Sequence, residues 1–497
     1  MKKYNKYDKN SIYEYATNLI GKTFREVEVD YFIENNQTDQ LVLREDGVHY
    51  GTFRRKGGLG DLLEDKYFEL TTGNESLPDF VEANMELKVT PYRINKNKTL
   101  SAKERLVITM IDYFKIVEED FYSSHLWPKI EFILLIYYLY EQDKERLDYV
   151  IDYVYMYSPN KQDLKIIIED YNKIKSKISR GEAHLLSEGD TLYLGAVTKS
   201  ATSANRTTQP FSDELAKPRA FSLKTSYMTT LLRERISQVE TESIVKDDLV
   251  EDFEQFIVNK IDENKGLTKE QLLFKYYGKH DMKSKNIYNM LTYKMLGVNG
   301  DNALEFEKAN IEVKTIRLND RNTITESMSF PAFNVLELLE EDWEESTVFD
   351  KFSATKFLFV VYKKVGKTYV LHGSMFWNMP IEDLERQLKF EWERTYNIFK
   401  EGVKLTPKQR GEQTIVSSNL PKLSNTEILH VRNHSQKSVY VIDGIKYGNG
   451  IVERDGDLLP NGDIISKQCF WLNNKYILKQ ISKIIHNTWS LSQFKVL

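Results

Sequence analysis

A carboxylate at Asp79, a second at Glu86 and a lysine at Lys88 stand at the spacing D-x6-E-x-K within the run PDFVEANMELK, residues 78–88. Read as a strand, Met85–Val89 turns Leu87 to one face and Glu86 and Lys88 to the other, because successive side chains alternate. Asp79 reaches the same face from the turn that Pro78 begins. Two carboxylates so placed suit Mg2+, a hard cation that wants oxygen ligands. The metal would neutralise a scissile phosphate and acidify a water, while the lysine orients that water or stabilises the developing charge. The chemistry this suggests is phosphodiester hydrolysis. The motif alone does not single it out, since a chain with 29% charged residues also sets such triplets on solvated strand faces.

The flanking elements must present these groups. The stretch Lys56–Glu64 (KGGLGDLLE) reads as a helix opened by Gly57, Gly58 and Gly60, with Leu62 and Leu63 packed inward and Glu64 facing the Asp79 strand. No G-x-x-x-x-G-K-[ST] follows, which excludes a P-loop. Beyond Lys88 the pattern predicts a strand at Glu104–Ile111 and a helix at Tyr113–Phe121 carrying Glu118, Glu119 and Asp120 on a solvated face. SSHLWPK, residues 123–129, then leads into an apolar strand from Ile130, headed by Lys129. Helix follows to about Lys177, then a strand at Thr191–Leu194. From Gly195 to Arg235 the chain turns polar and basic, with seven Lys or Arg against three Asp or Glu. Lys199, Arg206, Lys217, Arg219 and Lys224 make this the expected place for phosphate contacts and base reading.

With 497 residues the chain is too long for one ordinary core. A net charge of −5 excludes a uniformly basic nucleic-acid binder and leaves a local basic surface open. One cysteine, Cys469, excludes an intramolecular disulfide and a Cys-based zinc site. The start lacks an apolar h-region, and the run IEFILLIYYLY, residues 130–140, is too short to span a bilayer. A reducing, bacterial cytoplasm is the expected setting.

The second half repeats the first. LEFEKANIEVKTI places Glu305, Glu312 and Lys314 at the spacing of Asp79, Glu86 and Lys88. Thr325–Phe330 answers Lys103–Ile108, Leu339–Trp343 answers Val117–Phe121, and Phe357–Tyr362 answers Phe132–Tyr137. Gln468–Ile477 answers Arg219–Met228. Five elements in one order predict a domain duplication. The copies differ at the chemistry: Glu305 replaces Asp79, Thr292 stands for Glu64, and Ala354 or a neighbour stands for Lys129. Gln468 and Asn473 replace Arg219 and Lys224.

As an ordered set these residues resemble the MutH family, and within it the two-domain, GATC-cutting type II restriction endonucleases. The resemblance is carried by Gly57–Glu64, Pro78–Asp79, Glu86-Leu87-Lys88, Ser124-His125 with Lys129, and the Arg219–Tyr227 segment. It implies an α/β (α+β) chain with two tandem restriction-endonuclease-like domains of the PD-(D/E)xK superfamily. Each domain would have a central mixed sheet flanked by helices, and the second would be degenerate. The expected boundaries are 1–238 for the catalytic domain, 239–260 for an acidic linker, and 261–497 for the DNA-binding, allosteric copy. By position, Asp79, Glu86 and Glu64 would hold Mg2+, Lys88 would be the catalytic lysine, and Lys129 a second active-site lysine. The implied reaction is double-strand cleavage 5′ of the G in GATC, with a transient homodimer on the duplex and a cognate DNA methyltransferase as partner. A mismatch-repair nickase and a non-cutting GATC-binding regulator are the rival readings.

Overall fold

The computed structural model describes residues 3–36, 58–70, 77–200, 202, 204–236, 241–246, 252–411 and 413–486. Gly57 and the linker residues 239–240 and 247–251 lie outside them. The chain divides into two compact units, Met1–Val250 with Leu304–Asn310, and Glu251–Ala303 with Ile311–Leu497. The short helix Leu304–Ala309 therefore groups with the first unit, although its sequence introduces the second repeat. Residues 253–260, expected in the linker, belong to the helix Phe253–Asp262 of the second unit.

In the first unit, β1 (Glu86–Ile94), β2 (Leu100–Ala102) and β3 (Leu106–Met110) are followed by β4 (Ile133–Leu139) and β5 (Ile151–Tyr157). A mixed sheet of order β2-β1-β4-β5 pairs β1 parallel to β4, with Glu86 opposite Ile133. Buried between neighbours, β4 reads ILLIYYL almost without a polar residue. Each of its aliphatic side chains contributes about 1.5–3 kcal/mol by leaving water. Strands β6 (Leu194–Thr198), β7 (Thr207–Gln209), β8 (Ser212–Ala216) and β9 (Arg219–Leu223) complete the unit. They form an antiparallel sheet of order β3-β9-β6 and a separate hairpin β7–β8.

The second unit repeats both sheets. β10 (Ile311–Leu318) runs parallel to β12 (Lys356–Val365), which pairs antiparallel with β13 (Thr368–Trp377). β11 (Met328–Phe333) lies in the sheet of order β11-β21-β16, whose other members are β16 (Leu429–Asn433) and β21 (Gln468–Leu472). The hairpin β14–β15 (Leu405–Arg410, Gln413–Ser418) is an addition, and the small sheet β17–β20 (Tyr440–Ile442, Ile445–Tyr447, Gly456–Leu458, Ile464–Ser466) lies between β16 and β21 as the hairpin β7–β8 lies between β6 and β9.

Several expectations need correction. Residues 113–120 form turns and not a helix. Asp120 instead caps the 3-10 turn Phe121–Ser123, and Asp342 precedes the matching turn Trp343–Glu345. β5 was missed between β4 and the helix Lys161–Ser179. The ladder sets Glu312 opposite Phe357 as Glu86 stands opposite Ile133, so Phe357 answers Ile133, one residue on from Phe132.

Duplication extends to buried polar contacts that periodicity does not show. Asp170, on the inner face of Lys161–Ser179, accepts the successive N–H groups of Leu192, Tyr193 and Leu194 at 2.6–2.9 Å. Glu391, in the helix Lys389–Glu401, accepts those of Glu427, Ile428 and Leu429. The Tyr227 hydroxyl donates to Asp163, and the Tyr476 hydroxyl to Asp383. A sequence signal did exist: Asp170 interrupts the apolar stripe of Ile166, Ile167, Tyr171 and Ile174.

Candidate active site

Glu86 opens β1 and is 1% exposed, while Leu87 on the opposite face enters the hydrophobic core. Ahead of the strand, Asn84 adopts φ 47°, a left-handed conformation that Asn tolerates better than most residues. A bridge between Phe80 and Met85 closes this turn. It brings Asp79 back so that its Oδ2 accepts the Leu87 N–H at 2.8 Å. Asp79, Glu86 and Lys88 therefore share one corner of the sheet.

Two lysines converge on Glu86. Lys88 Nζ donates to Glu86 Oε1 at 2.5 Å, and Lys129 Nζ lies 3.6 Å from the same oxygen. Lys129 sits in the helical turn Trp127–Ile130, 7% exposed, and does not head the strand as its position suggested. Glu64 stands on a single π-helical turn, Leu63–Tyr67, that follows the helix Gly58–Leu62. A Cβ on Gly60 would lie 3.9 Å from Glu64 Oε1, so Gly60 sits directly beside this carboxylate. Burial, with Asp79 adding repulsion, pushes the Glu64 carboxyl up to about 7. Burial also raises Glu86, against the pull of Lys88.

These groups fit a metal by the orphaned state of one oxygen. Glu86 Oε2 is buried and accepts no hydrogen bond, a costly arrangement unless a cation completes it. Among the described residues no group of three or more His, Cys, Asp or Glu side chains is placed to hold a metal ion by itself. That is compatible with Mg2+, which keeps several waters and binds through one or two carboxylates plus substrate phosphate.

Other residues take different places from those expected. Arg219 and Lys224 are buried, at 6% and 2% exposed. Arg219 donates to the Ala196 and Leu186 carbonyls, and Lys224 Nζ to Thr191 O at 2.5 Å. They tie β9 and the residue after it to β6 and to the segment from Leu186 to Thr191, and do not offer charge to solvent. Lys199, Arg206 and Lys217 remain at the surface or partly so. His125 has both ring nitrogens on acceptors, Glu119 Oε2 at 3.1 Å and Met110 O at 2.9 Å, a joining role rather than a catalytic one. Glu119 thus anchors this histidine instead of lying on a solvated helix face.

In the repeat, Glu305 turns its carboxylate to Ser243 Oγ and the N–H groups of Ile244 and Val245. Glu312 is held by Lys314 and by Lys351. Burial would raise Glu312, but the two lysines hold it below the ordinary value. Lys351 thus answers Lys129, where Ala354 or a neighbour was expected. Insertion of two residues between lysine and strand hid this match.

A mixed sheet carrying Glu-x-Lys, with a second lysine and further carboxylates at its edge, defines a nuclease of the MutH kind. The family described as "DNA mismatch repair enzyme MutH" matches residues 68–170 and 296–389, one stretch in each repeat. The type II restriction enzyme Sau3AI of Staphylococcus aureus is 34% identical over 462 residues, covering 86% of this chain and 93% of that enzyme. DNA mismatch repair proteins MutH of Shewanella amazonensis and Shewanella woodyi are 27% and 26% identical, each over 36% of this chain and 80% and 77% of their own lengths. The chain belongs to the MutH-like nuclease family, as a type II restriction endonuclease, a site-specific deoxyribonuclease whose substrate is DNA.

The raised Glu64 carboxyl has a measurable consequence. A carboxyl lifted from 4.5 to about 7 becomes increasingly costly to keep folded as pH rises through that window. A cation bound to the ionised form relieves this cost and stabilises by mass action. Thermal unfolding followed with and without Mg2+ should therefore show a larger stabilisation at pH 8 than at pH 6. Glu64→Gln should flatten that difference. Equal Mg2+ shifts at both pH values would remove Glu64 from the ligand set.

Proposed function

We propose that this chain cleaves double-stranded DNA at GATC on the 5′ side of the G, leaving 5′-phosphate ends, with Mg2+ as cofactor. The observation that carries the metal and the residue roles is the buried, unpartnered Glu86 Oε2 beside Asp79, Lys88, Lys129 and Glu64. Asp79 and Glu86 would hold the cation, with Glu64 as a further carboxylate. Mg2+ bound there supplies charge neutralisation of the scissile phosphate. Lys88 positions the attacking water and steadies the charge that develops on the phosphate. Lys129, 3.6 Å from the Glu86 oxygen that Lys88 donates to, would help to hold that carboxylate. Lys199, Arg206 and Lys217 contact phosphates of the duplex.

The GATC specificity rests on the motif resemblance and on the similarity to Sau3AI over most of both chains. The first unit would be the catalytic domain and the second a DNA-binding, stimulating copy, with residues around 239–260 connecting them. In support of a single catalytic copy, Glu305, the repeat's counterpart of Asp79, is engaged by backbone N–H groups, and Glu312 of the second unit by two lysines. One complete site per chain implies a transient homodimer on a palindrome, or two successive nicks. A protein of this activity acts in a bacterial cytoplasm beside a methyltransferase that protects the host's own sites.

Digestion of plasmids bearing one or several GATC sites, with Mg2+ or EDTA, tests the whole reading. Mg2+-dependent fragments whose sequenced ends begin with GATC are expected, cut faster on the multi-site plasmid. Accumulation of a nicked intermediate would assign two successive steps, and its absence a dimer. Binding without cutting would instead identify a regulator. Discrete cutting at another sequence would keep the catalytic set and remove GATC.

A further inference from the structure

The hairpin β7–β8 turns through Pro210 and Phe211, between the paired residues Gln209 and Ser212. Phe211 has φ 62° and is 73% exposed. After a proline, that place in the turn favours glycine, and a bulky side chain there is strained. The strain cannot relax, because the hairpin is clamped from below. Gln209 is buried; its Oε1 accepts the Ala183 N–H at 2.7 Å and its Nε2 donates to Glu214 O at 2.5 Å. Gly181 packs so closely that a Cβ there would stand 2.5 Å from the Phe211 carbonyl oxygen. A rigid base thus holds an apolar ring out in water, at a conformational cost.

Charge along the hairpin indicates what the ring meets. Arg206 and Lys217 stand at its two feet, whereas Thr207–Ala216 carries no cation and exposes Asp213 and Glu214. Phosphates attract the feet and repel the β8 arm, where Asp213 and Glu214 follow the tip. A duplex satisfies both when the tip lies between the two phosphate rows and faces base edges. The major groove admits a two-stranded ribbon, and its one apolar feature is the thymine 5-methyl group. We propose that β7–β8 enters the major groove and that Phe211 contacts this methyl in the recognition sequence, an inference resting on the GATC reading above.

Cleavage rates of wild type and Phe211→Ala on duplexes with thymine or uracil in the site test it. Wild type should lose about fourfold on uracil, the worth of one buried methyl. Phe211→Ala should lose about tenfold or more on thymine and nothing further on uracil. Phe211→Gly, which relieves the positive φ, should melt at or above the wild-type temperature and show the same loss, separating contact from folding. Wild-type cutting of both duplexes at one rate, or an uracil penalty that persists in Phe211→Ala, would overturn the contact alone. A wild type that cuts neither duplex overturns the GATC reading and this inference together.

Discussion

Asp79→Asn is expected to reduce cleavage about a thousandfold or more while leaving the melting temperature and DNA binding close to wild type. The magnitude follows from the several kcal/mol that a correctly held cation contributes to phosphoryl transition states, at about 1.4 kcal/mol per factor of ten. Asparagine is the informative replacement because its side-chain oxygen still accepts the Leu87 N–H, which Asp79 does at 2.8 Å. Alanine would remove charge and turn geometry together. Glu305 provides the contrast at the same place in the repeat. Its carboxylate serves Ser243, Ile244 and Val245, so Glu305→Ala should lower thermal stability and leave the chemical step intact. Single-turnover cleavage and melting of the two variants, measured side by side, separate the roles. Equal losses of rate in both would contradict the assignment of one catalytic copy.

The second large effect concerns the fold. Asp170→Ala should destabilise the first unit by about 3 kcal/mol or more, and Glu391→Ala the second unit by a similar amount. Each removes the acceptor for three successive backbone N–H groups. An unsatisfied buried donor costs roughly 1–3 kcal/mol. Part of this is offset because burial already pushes the Asp170 carboxyl up, so removing the charge recovers some desolvation cost. Urea unfolding gives the measurement: a lower midpoint with an unchanged slope is expected. A midpoint unchanged by either substitution would mean that water replaces the carboxylate, contrary to its complete burial.

The shared face of Glu86 and Lys88 was legible because strand alternation is local. Glu86 and Lys88 share a face whatever the rest of the chain does, and Leu87 must then point into the core. The duplication was legible for a related reason: matching runs of strand and turn residues preserve order even where side chains diverge. Asn84 and Asn310, both at positive φ before β1 and β10, show how closely the local geometry is kept.

What the residues next to one another cannot determine is which distant groups they meet. Lys351 was overlooked because its distance in sequence from the strand changed, whereas its distance in space from Glu312 did not. Arg219 and Lys224 looked like DNA contacts because charge usually seeks water, yet here carbonyl acceptors at Ala196, Leu186 and Thr191 make their burial tolerable. The turns at 113–120 follow the same logic, since Asp120 caps a short 3-10 turn that helical periodicity conceals. By itself, then, the sequence determined the alternation that builds the Glu-x-Lys edge, the repeat and the polar basic segment. Tertiary structure alone decided which charges are buried, that Glu86 is left with an unpartnered oxygen, and that Phe211 stands strained in solvent. The physical reason is that burial and pairing depend on elements far apart along the chain, while alternation depends only on the next residue.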